Sequence, residues 1–544
     1  MISKRDLLKL GAGLAVSAGG LPLTASRAGP PAATEPGSFT PNWQSLASGY
    51  KAPAWFHDAK FGIWAHWSAQ CVPEAGDWYA RNMYQQGMPQ YEHHLKTYGH
   101  PADHGFMEIN NLWKAENWNP GDLLDLYKSA GARYFVALAN HHDNFDNYAS
   151  KFHQWNATRV GPKKDLIGIW AKEARARGLK FGVSSHSAHA FHWFQTAYGY
   201  DPEGPRAGER YDAWKLTRYD GKGKWWDGLD PQELYAGALT PLPEGIASIA
   251  EAKAWHEAHD GIWDENPPLA NPSFVRQWFL RSKDLLDSYK PDLLYFDDTG
   301  LPLGQAGLDI AAHYYNSSLK WHGALDVVLN GKLLPPERKG ALVEDVERGF
   351  RADIEPLPWQ TDTCIGDWHY NRERFLKKSY VGAQSVINRL CDVVSKNGNL
   401  LLSIPVRGDG TIDAEERKIV EQIGSWTARY GDAIFGSRPW KVAGEGPTQV
   451  SSGQFGEEKM RPFTAEDIRF TVNKGSLYAM TLGRPAAEVT IRALADHDVQ
   501  RVELVGSTAP LSFKRDNAGL HVALPAGAAH EFGAALKING SGIV

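Results

Sequence analysis

Short apolar runs that end in polar or titratable residues recur along the first 400 residues, and helical segments separate them. The runs cover residues 61–65, 133–139, 180–183, 293–296, 327–329, 342–343 and 400–404. Such alternation predicts a parallel α/β sheet with right-handed crossovers. Because the polar residues collect where the runs end, we expect a (β/α)8-like TIM barrel, whose active sites lie at the carboxyl ends of the strands. A doubly wound open sheet is the alternative, but the first run is not followed by a glycine-rich phosphate loop.

The length of the chain and a change in its hydrophobic pattern predict a second domain. A chain of 544 residues exceeds what one hydrophobic core usually holds. We expect the barrel over residues 46–432, with residues 194–272 as an irregular insertion that either shapes substrate access or merely packs. From residue 433 to 544, short alternating runs separated by turn residues predict an antiparallel β-sandwich.

The first 28 residues have the layout of a cleavable export signal. Lys4 and Arg5 form a basic start, a Gly/Ala-rich apolar stretch follows, and small residues surround Ala28. The apolar stretch is too short to span a membrane. The basic string resembles a twin-arginine signal with Lys4 in place of the first arginine, although an ordinary secretory route also fits. We therefore expect a periplasmic or secreted protein, with a Pro/Gly-rich linker over residues 29–45.

Composition narrows the class of partner. The net charge of −5, without a strongly basic block, argues against a nucleic-acid or anionic-membrane partner. The 21 tryptophans suit a large core, and a few of them suit a carbohydrate site, where indole faces pack on sugar rings. Three widely spaced cysteines predict buried thiols rather than a disulfide framework.

Glycosidic bond cleavage needs two carboxyl groups, and the sequence offers candidates for each. Asp297 ends the fourth run, where a carboxylate can stabilise or attack a positively charged anomeric carbon. The alternative is an Asp that caps the next helix, which we favour for Asp298. The segment after the sixth run offers four candidates for the proton donor, namely Glu344, Asp345, Glu347 and Glu355.

Histidines follow three of the predicted strands, at positions 66, 141, 142 and 186. Neutral imidazoles hydrogen-bond sugar hydroxyls, or they bind a metal as in barrel metallohydrolases. His141 and His142 would point to opposite sides if their strand continued, so we do not expect both to bind one metal. The group as a whole indicates a functional cluster.

Several segments together resemble glycoside hydrolase family 29, the α-L-fucosidases. They cover residues 55–67, 78–84, 141–145, 291–297, 359–363 and 393–402. In the His-His-Asp-Gly-Phe element Asn144 replaces Gly, and in the nucleophile strand Tyr295 stands in for the usual Trp.

The resemblance implies a TIM-barrel enzyme that hydrolyses fucosylated glycans with a retaining mechanism. Asp297 would form a covalent fucosyl intermediate. No metal and no organic cofactor is implied. The substrate-binding residues would be His66, Trp67, Trp78, His141, His142, His186 and Tyr295.

Two departures from the family pattern affect the site. Gln360 stands where many relatives carry a Glu that is a candidate acid, so we assign the acid/base role to Glu347, with Glu344 and Glu355 as reserves. His186 lies in a Ser-Ser-His segment that replaces a more usual Tyr-containing stretch. Two other hypotheses remain: a barrel metallohydrolase that uses the histidines, and a non-catalytic sugar-binding barrel.

Overall fold

The computed structural model describes residues 38–544, so the expected export signal (residues 1–28) and the first part of the expected linker lie outside the described residues. Eight parallel strands close into a barrel in chain order. They are β1 (Phe61–Ala65), β2 (Tyr134–Asn140), β3 (Lys180–Ser185), β4 (Leu293–Thr299), β5 (Val328–Lys332), β6 (Val343–Asp345), β7 (Trp359–Cys364) and β8 (Gly398–Ser403). The TIM barrel expected from the sequence is confirmed.

Several helices around the barrel begin at a residue whose side chain caps them. Asp165 accepts a hydrogen bond from the backbone N–H of Gly168, and Asp413 with Glu416 forms a capping box. The longer helices are Pro120–Ser129, Leu166–Ala176, Ile249–His259, Pro272–Tyr289, Gln305–His322, Ala383–Ser395 and Ala414–Tyr430. The shorter ones are Trp43–Gly49, Ala54–Ala59, Tyr79–Asn82, Pro89–Thr97, Phe106–Leu112, Ala190–Trp193, Asp212–Lys215, Pro231–Leu234 and Arg372–Leu376.

The pairing of β4 with β5 is irregular at the end of the barrel that carries the site. The strands pair in register as far as Tyr295 and Asn330, and the register shifts before Thr299 pairs with Lys332. Such irregularities re-aim side chains and are common next to active sites. Here the shift covers Asp297, at the carboxyl end of β4.

Residues 194–272 lie between β3 and β4 and contain short helices, the longer helix Ile249–His259 and irregular chain. Several of their apolar side chains belong to the main hydrophobic core, and part of the segment forms a small cluster of its own around Tyr200 and Leu242. Its end brings Trp263 against the ring of His189, with 3.8 Å between the ring centroids.

Antiparallel sheets follow the barrel, as the alternating runs predict. The strands are β9 (Arg438–Glu445), β10 (Ile468–Asn473), β11 (Ser476–Thr481), β12 (Glu488–Ile491), β13 (Asp498–Leu504), β14 (Phe513–Asp516), β15 (Gly519–Ala523) and β16 (Ala535–Ser541). One sheet has the order β13-β16-β11-β10-β9, and the other has the order β12-β15-β14. The connection from β9 to β10 returns to the barrel, where Gly453 bridges to Phe350.

Two further expectations concern thiols and membrane helices. Cys71, Cys364 and Cys391 are free and buried, as expected. Within residues 38–544, none of the helices has the length and apolar character needed to cross a bilayer.

Candidate active site

Two adjoining cavities of about 320 Å³ each lie at the carboxyl ends of the barrel strands. Both are lined by Asp297, Lys332 and Glu347. The first, which we call the histidine cavity, is also lined by Trp64, His66, Trp78, His141, His142, His186, Asp362 and Trp368. The second, which we call the Phe455 cavity, is also lined by Trp263, Asp298, Thr299, Leu333, Gln454 and Phe455.

One ammonium group holds the two principal carboxylates together. Nζ of Lys332, at the end of β5, lies 2.5 Å from Oδ1 of Asp297 and 2.5 Å from Oε2 of Glu347. Those two oxygens are therefore no more than about 5 Å apart. All three side chains are buried. Burial opposes the charge of Lys332, but the surrounding carboxylates outweigh it and raise the pKa of Lys332 well above its ordinary value.

The histidines are aligned by hydrogen bonds behind the cavity. His66 Nδ1 lies 3.2 Å from Ser403 Oγ, and His141 Nδ1 lies 3.1 Å from Gln70 Nε2. His142 Nδ1 donates to the backbone carbonyl of His186 at 2.7 Å. Each bond orients a ring whose other nitrogen can meet a ligand.

Burial keeps these rings neutral. It lowers the pKa of His66 and of His141 well below the ordinary value, and it lowers the pKa of His142 to about 3 although Asp297 opposes that shift. His186 and His142 approach Oδ2 of Asp297 at 3.3 and 3.5 Å. The cavity thus offers neutral donors and acceptors beside the carboxylate of Asp297, a set suited to sugar hydroxyls.

The condition under which His141 and His142 would point to opposite sides, a strand that continues through both, is not met. Strand β2 ends at Asn140 and a turn follows, so the alternation of a strand no longer applies. Both rings line the same cavity, with 4.3 Å between their centroids. Among residues 38–544, three sets of three groups have ligand atoms within 4.8 Å of one another and can geometrically hold a metal ion. They are His66, His141 and His186; His142, His186 and Asp297; and His189, Glu265 and Asp298, and none of them contains both His141 and His142.

The aromatic residues predicted to bind the sugar separate into two groups. Trp78 lines the histidine cavity, but Trp67 and Tyr295 do not, which corrects the expectation for both. Trp67 is buried between other indoles and donates its Nε1–H to the carbonyl of Arg407 at 2.8 Å. Tyr295 is buried, and its hydroxyl donates to Asp362 Oδ2 at 2.7 Å. Both therefore support the cavity from behind.

The candidates for the proton donor differ in whether they line a cavity. Glu347 lines both cavities, whereas the reserves Glu344 and Glu355 line neither and pair with Arg351 at 2.7 and 3.5 Å. Asp345 is fully buried and accepts a hydrogen bond from Gln360 Nε2 at 2.8 Å.

Gln360 itself is fully buried and lines neither cavity. Its Oε1 accepts a hydrogen bond from the hydroxyl of Tyr134 at 2.9 Å. The absence of a carboxylate at that position therefore removes no acid from the cavity in this structure. The expectation that Asp298 caps the next helix is also wrong. Asp298 pairs with His189 at 2.7 Å, and Gly304 precedes the helix instead.

Sequence reasoning missed several lining residues. Lys332 lies three positions beyond the fifth run, and its place at a strand end is the signal that could have found it. Asp362 lies within β7, and burial raises its pKa to about 6. Trp64 lies inside the first run, where a core role is the ordinary expectation. Trp368 follows β7 outside any run.

The α-L-fucosidase family model matches residues 28–432. The chain belongs to the α-L-fucosidase family. Its relatives are glycoside hydrolases, so the enzyme class expected from the sequence is confirmed, and the metallohydrolase alternative is not favoured. The family acts on fucosylated substrates, as the sequence resemblance implied.

Relatives of known name align with most of this chain. The tissue α-L-fucosidase of Bos taurus is 28% identical over 419 residues, which are 76% of this chain and 75% of that protein. The tissue α-L-fucosidase of Homo sapiens is 25% identical over 502 residues, which are 91% of this chain and 89% of that one. The chain superposes on the Thermotoga maritima α-fucosidase in complex with fucose with a TM-score of 0.65, at 24% identity, over 92% of this chain and 100% of that one. This last likeness shows the shared fold of barrel and C-terminal β-sandwich.

Proposed function

We propose that this α-L-fucosidase is a retaining exo-enzyme that releases terminal α-L-fucosyl residues from glycans through a covalent glycosyl–enzyme intermediate. The observation that carries the proposal is the contact of Lys332 with both Asp297 and Glu347 at 2.5 Å. The contact limits the separation of those oxygens to about 5 Å. Retaining glycosidases hold their two carboxyl groups about 5–5.5 Å apart, whereas inverting ones need roughly 6.5–9.5 Å for a water.

Fucose would occupy the histidine cavity. Nε2 of His141 is left as a donor, because its Nδ1 accepts from the amide of Gln70, and Nε2 of His142 is left as an acceptor, because its Nδ1 donates to the carbonyl of His186. The cavity therefore offers both a donor and an acceptor to the sugar hydroxyls. Trp78 supplies an apolar wall for the sugar's C–H groups. Asp297 then lies at the carboxyl end of β4, against the anomeric carbon.

The reaction takes two steps: Glu347 loses its proton in the first and regains one in the second. In the first, an Asp297 oxygen bonds to C1, the glycosidic C1–O bond breaks, and Glu347 gives its proton to the leaving oxygen. In the second, Glu347 takes a proton from water, the water oxygen bonds to C1, and the bond to Asp297 breaks. Glu347 ends protonated and Asp297 ionised, so the cycle closes.

Replacing the two carboxylates separately tests these roles. With an aryl α-L-fucoside, Asp297→Ala should lose about a thousandfold or more in kcat, as other enzymes do when the nucleophile is removed. Azide should restore turnover and give the β-L-fucosyl azide, formed by one displacement. Glu347→Ala should lose less when the leaving group is activated, because departure then needs little protonation. With azide it should give the α-L-fucosyl azide.

A matched control comes from the same segment. Glu344 is a carboxylate outside both cavities, so Glu344→Ala should keep kcat within a few-fold of the wild type. Normal turnover by Asp297→Ala would overturn the proposal. The proposal would also be overturned if Glu344→Ala, rather than Glu347→Ala, lost less activity on substrates with activated leaving groups than on other substrates.

The layout of residues 1–28 supports export to the periplasm or beyond the cell, which we propose as the site of action. The test is to fractionate the expressing cells and to sequence the amino terminus of the mature protein. Cytoplasmic protein with an intact start would contradict export without affecting the catalytic proposal.

A further inference from the structure

We propose that the Phe455 cavity binds the sugar to which the fucose is attached, so that the connection between β9 and β10 supplies part of the specificity of the barrel. The inference rests on the proposed function, since it takes Asp297 and Glu347 as nucleophile and proton donor. Its new content is the identity of the second subsite and the class of ligand that fills it.

The position of the cavity carries the first step. Glu347 lines both cavities, and a proton donor in a glycosidase must reach the oxygen between the two sugars. If fucose fills the histidine cavity, the leaving group must occupy space on the other side of that oxygen and still next to Glu347. The Phe455 cavity is such a space.

The connection between β9 and β10 is built onto the segment that carries the proton donor. The backbone N–H of Phe455 donates to the carbonyl of Glu347 at 2.8 Å, and that of Glu457 donates to Arg348 at 3.1 Å. Gly453 N–H donates to Phe350 at 3.0 Å. These bonds fix residues 453–457 relative to Glu347, as a wall of the same site requires.

Side-chain contacts anchor the same loop. The carboxylate of Glu457 contacts Arg389 at 2.7 Å, Arg348 at 3.1 Å and the hydroxyl of Thr363 at 2.8 Å. Phe455 is held at φ +52°, in the left-handed region. That conformation is unfavourable for a bulky residue and persists where the surroundings impose it, which is common at ligand sites.

The lining chemistry selects a sugar over other leaving groups. Trp263 and Phe455 provide aromatic surface for the C–H faces of a pyranose. Asp298 provides a carboxylate acceptor. Nε2 of Gln454 donates to the carbonyl of Asp345 at 3.2 Å, which sets the amide orientation and leaves its Oε1 as a buried acceptor without a hydrogen-bond partner among residues 38–544. Sugar hydroxyls satisfy such acceptors, whereas an aryl or alkyl group has no donor for them.

The charge of the lining limits the class of sugar. Asp297, Asp298 and Glu347 line the cavity, and their carboxyl groups disfavour an anionic sugar. We therefore infer that the cavity binds a neutral hexopyranose.

The test compares two substrates that differ only in the leaving group. α-L-Fucosyl fluoride leaves the Phe455 cavity without a sugar, whereas an α-L-fucosyl-hexose disaccharide fills it. Phe455→Gly removes the ring and also suits the positive φ. We expect it to lower kcat/KM for the disaccharide about ten- to a hundredfold more than for the fluoride, as the loss of a buried aromatic contact predicts. Gln454→Ala and Trp263→Leu should show the same selectivity, with smaller ratios.

Lys474→Gly is the matched control. Lys474 also has a positive φ, of +48°, but it is exposed in the turn between β10 and β11. This variant should keep both rates. An equal loss on both substrates with Phe455→Gly would show that the loop merely supports Glu347 and would overturn the inference, as would no loss on either. Failure of the proposed function would show differently, as normal turnover of fucosyl fluoride by Asp297→Ala.

Discussion

The ammonium group of Lys332 lies 2.5 Å from Oε2 of Glu347, and the same group contacts Oδ1 of Asp297. The cation thus contacts one oxygen of each carboxyl group, while Oδ2 of Asp297 faces His142 and His186. This arrangement offsets the repulsion of two buried carboxylates and fixes their separation. Lys332 is therefore a positioning residue for the proposed chemistry.

Lys332→Met should lower kcat/KM for an aryl α-L-fucoside by about 10²–10³-fold, as the loss of a preorganised charge does in other enzymes. Without the cation the charged form of each neighbouring carboxyl is less favourable, so both limbs of the pH–rate profile should move to higher pH. Kinetics from pH 4 to 9 measure the shift. Lys332→Arg keeps the charge and should move the limbs less. If Lys332→Met lowered kcat/KM but left both limbs of the pH–rate profile at the same pH, this role would be contradicted.

Trp67, behind the histidine cavity, and Trp78, in its wall, should respond differently to replacement by Phe. Trp67→Phe removes the buried indole bond to the carbonyl of Arg407 and should destabilise the barrel by about 1–3 kcal/mol, seen as a lower Tm, with KM unchanged. Trp78→Phe alters a cavity wall and should raise KM with little change in Tm. A raised KM for Trp67→Phe, at constant Tm, would contradict the placement of its ring behind the cavity.

The barrel and the principal carboxylate could be predicted from the sequence because both follow from local patterns. Buried parallel strands read as apolar runs, and the residue that ends such a run lies at the mouth. Asp297 is found in this way. Glu347 needed the resemblance to a family, since it lies in a loop whose pattern does not distinguish it from Glu344.

Other features depend on tertiary contacts that no local pattern encodes. The direction of Trp67 is set by packing against distant indoles, so its position after a strand was misleading. The turn that ends β2 brings His141 and His142 to one side. The return of Phe455 to the barrel joins residues more than 100 positions apart in the chain. Lys332 follows a strand, but its role appears when both carboxylates are in place.

Removal of metal tests the alternative that the histidine geometry leaves open. His66, His141 and His186 have the spacing of a metal site, although the family assignment does not favour one. We expect dialysis against EDTA to leave kcat/KM for an aryl α-L-fucoside within twofold, and elemental analysis to find less than one metal ion per ten chains. A loss of activity that Zn²⁺ restores would support a metallohydrolase.

The buried histidines should make the enzyme sensitive to acid. Burial lowers the pKa of His142 to about 3, from an ordinary value near 6.5 in the unfolded chain. As the pH falls from 6.5 towards 3, the unfolded state therefore binds a proton that the native state does not. The stability that this imidazole contributes is complete above about pH 6.5 and is lost as the pH falls, by at most about 1.4 kcal/mol per pH unit. His66 and His141 act in the same direction.

Replacing one of these rings isolates its share of the effect. His142→Asn removes the titrating group, so its Tm should fall less steeply between pH 6.5 and 4 than the Tm of the wild type, as measured by calorimetry. His322→Asn is the control, because His322 is exposed at the end of the helix Gln305–His322, and it should keep the wild-type slope. Equal slopes for all three proteins would show that protonation of His142 is not linked to unfolding, and that its ring is already charged in the native cavity over this pH range.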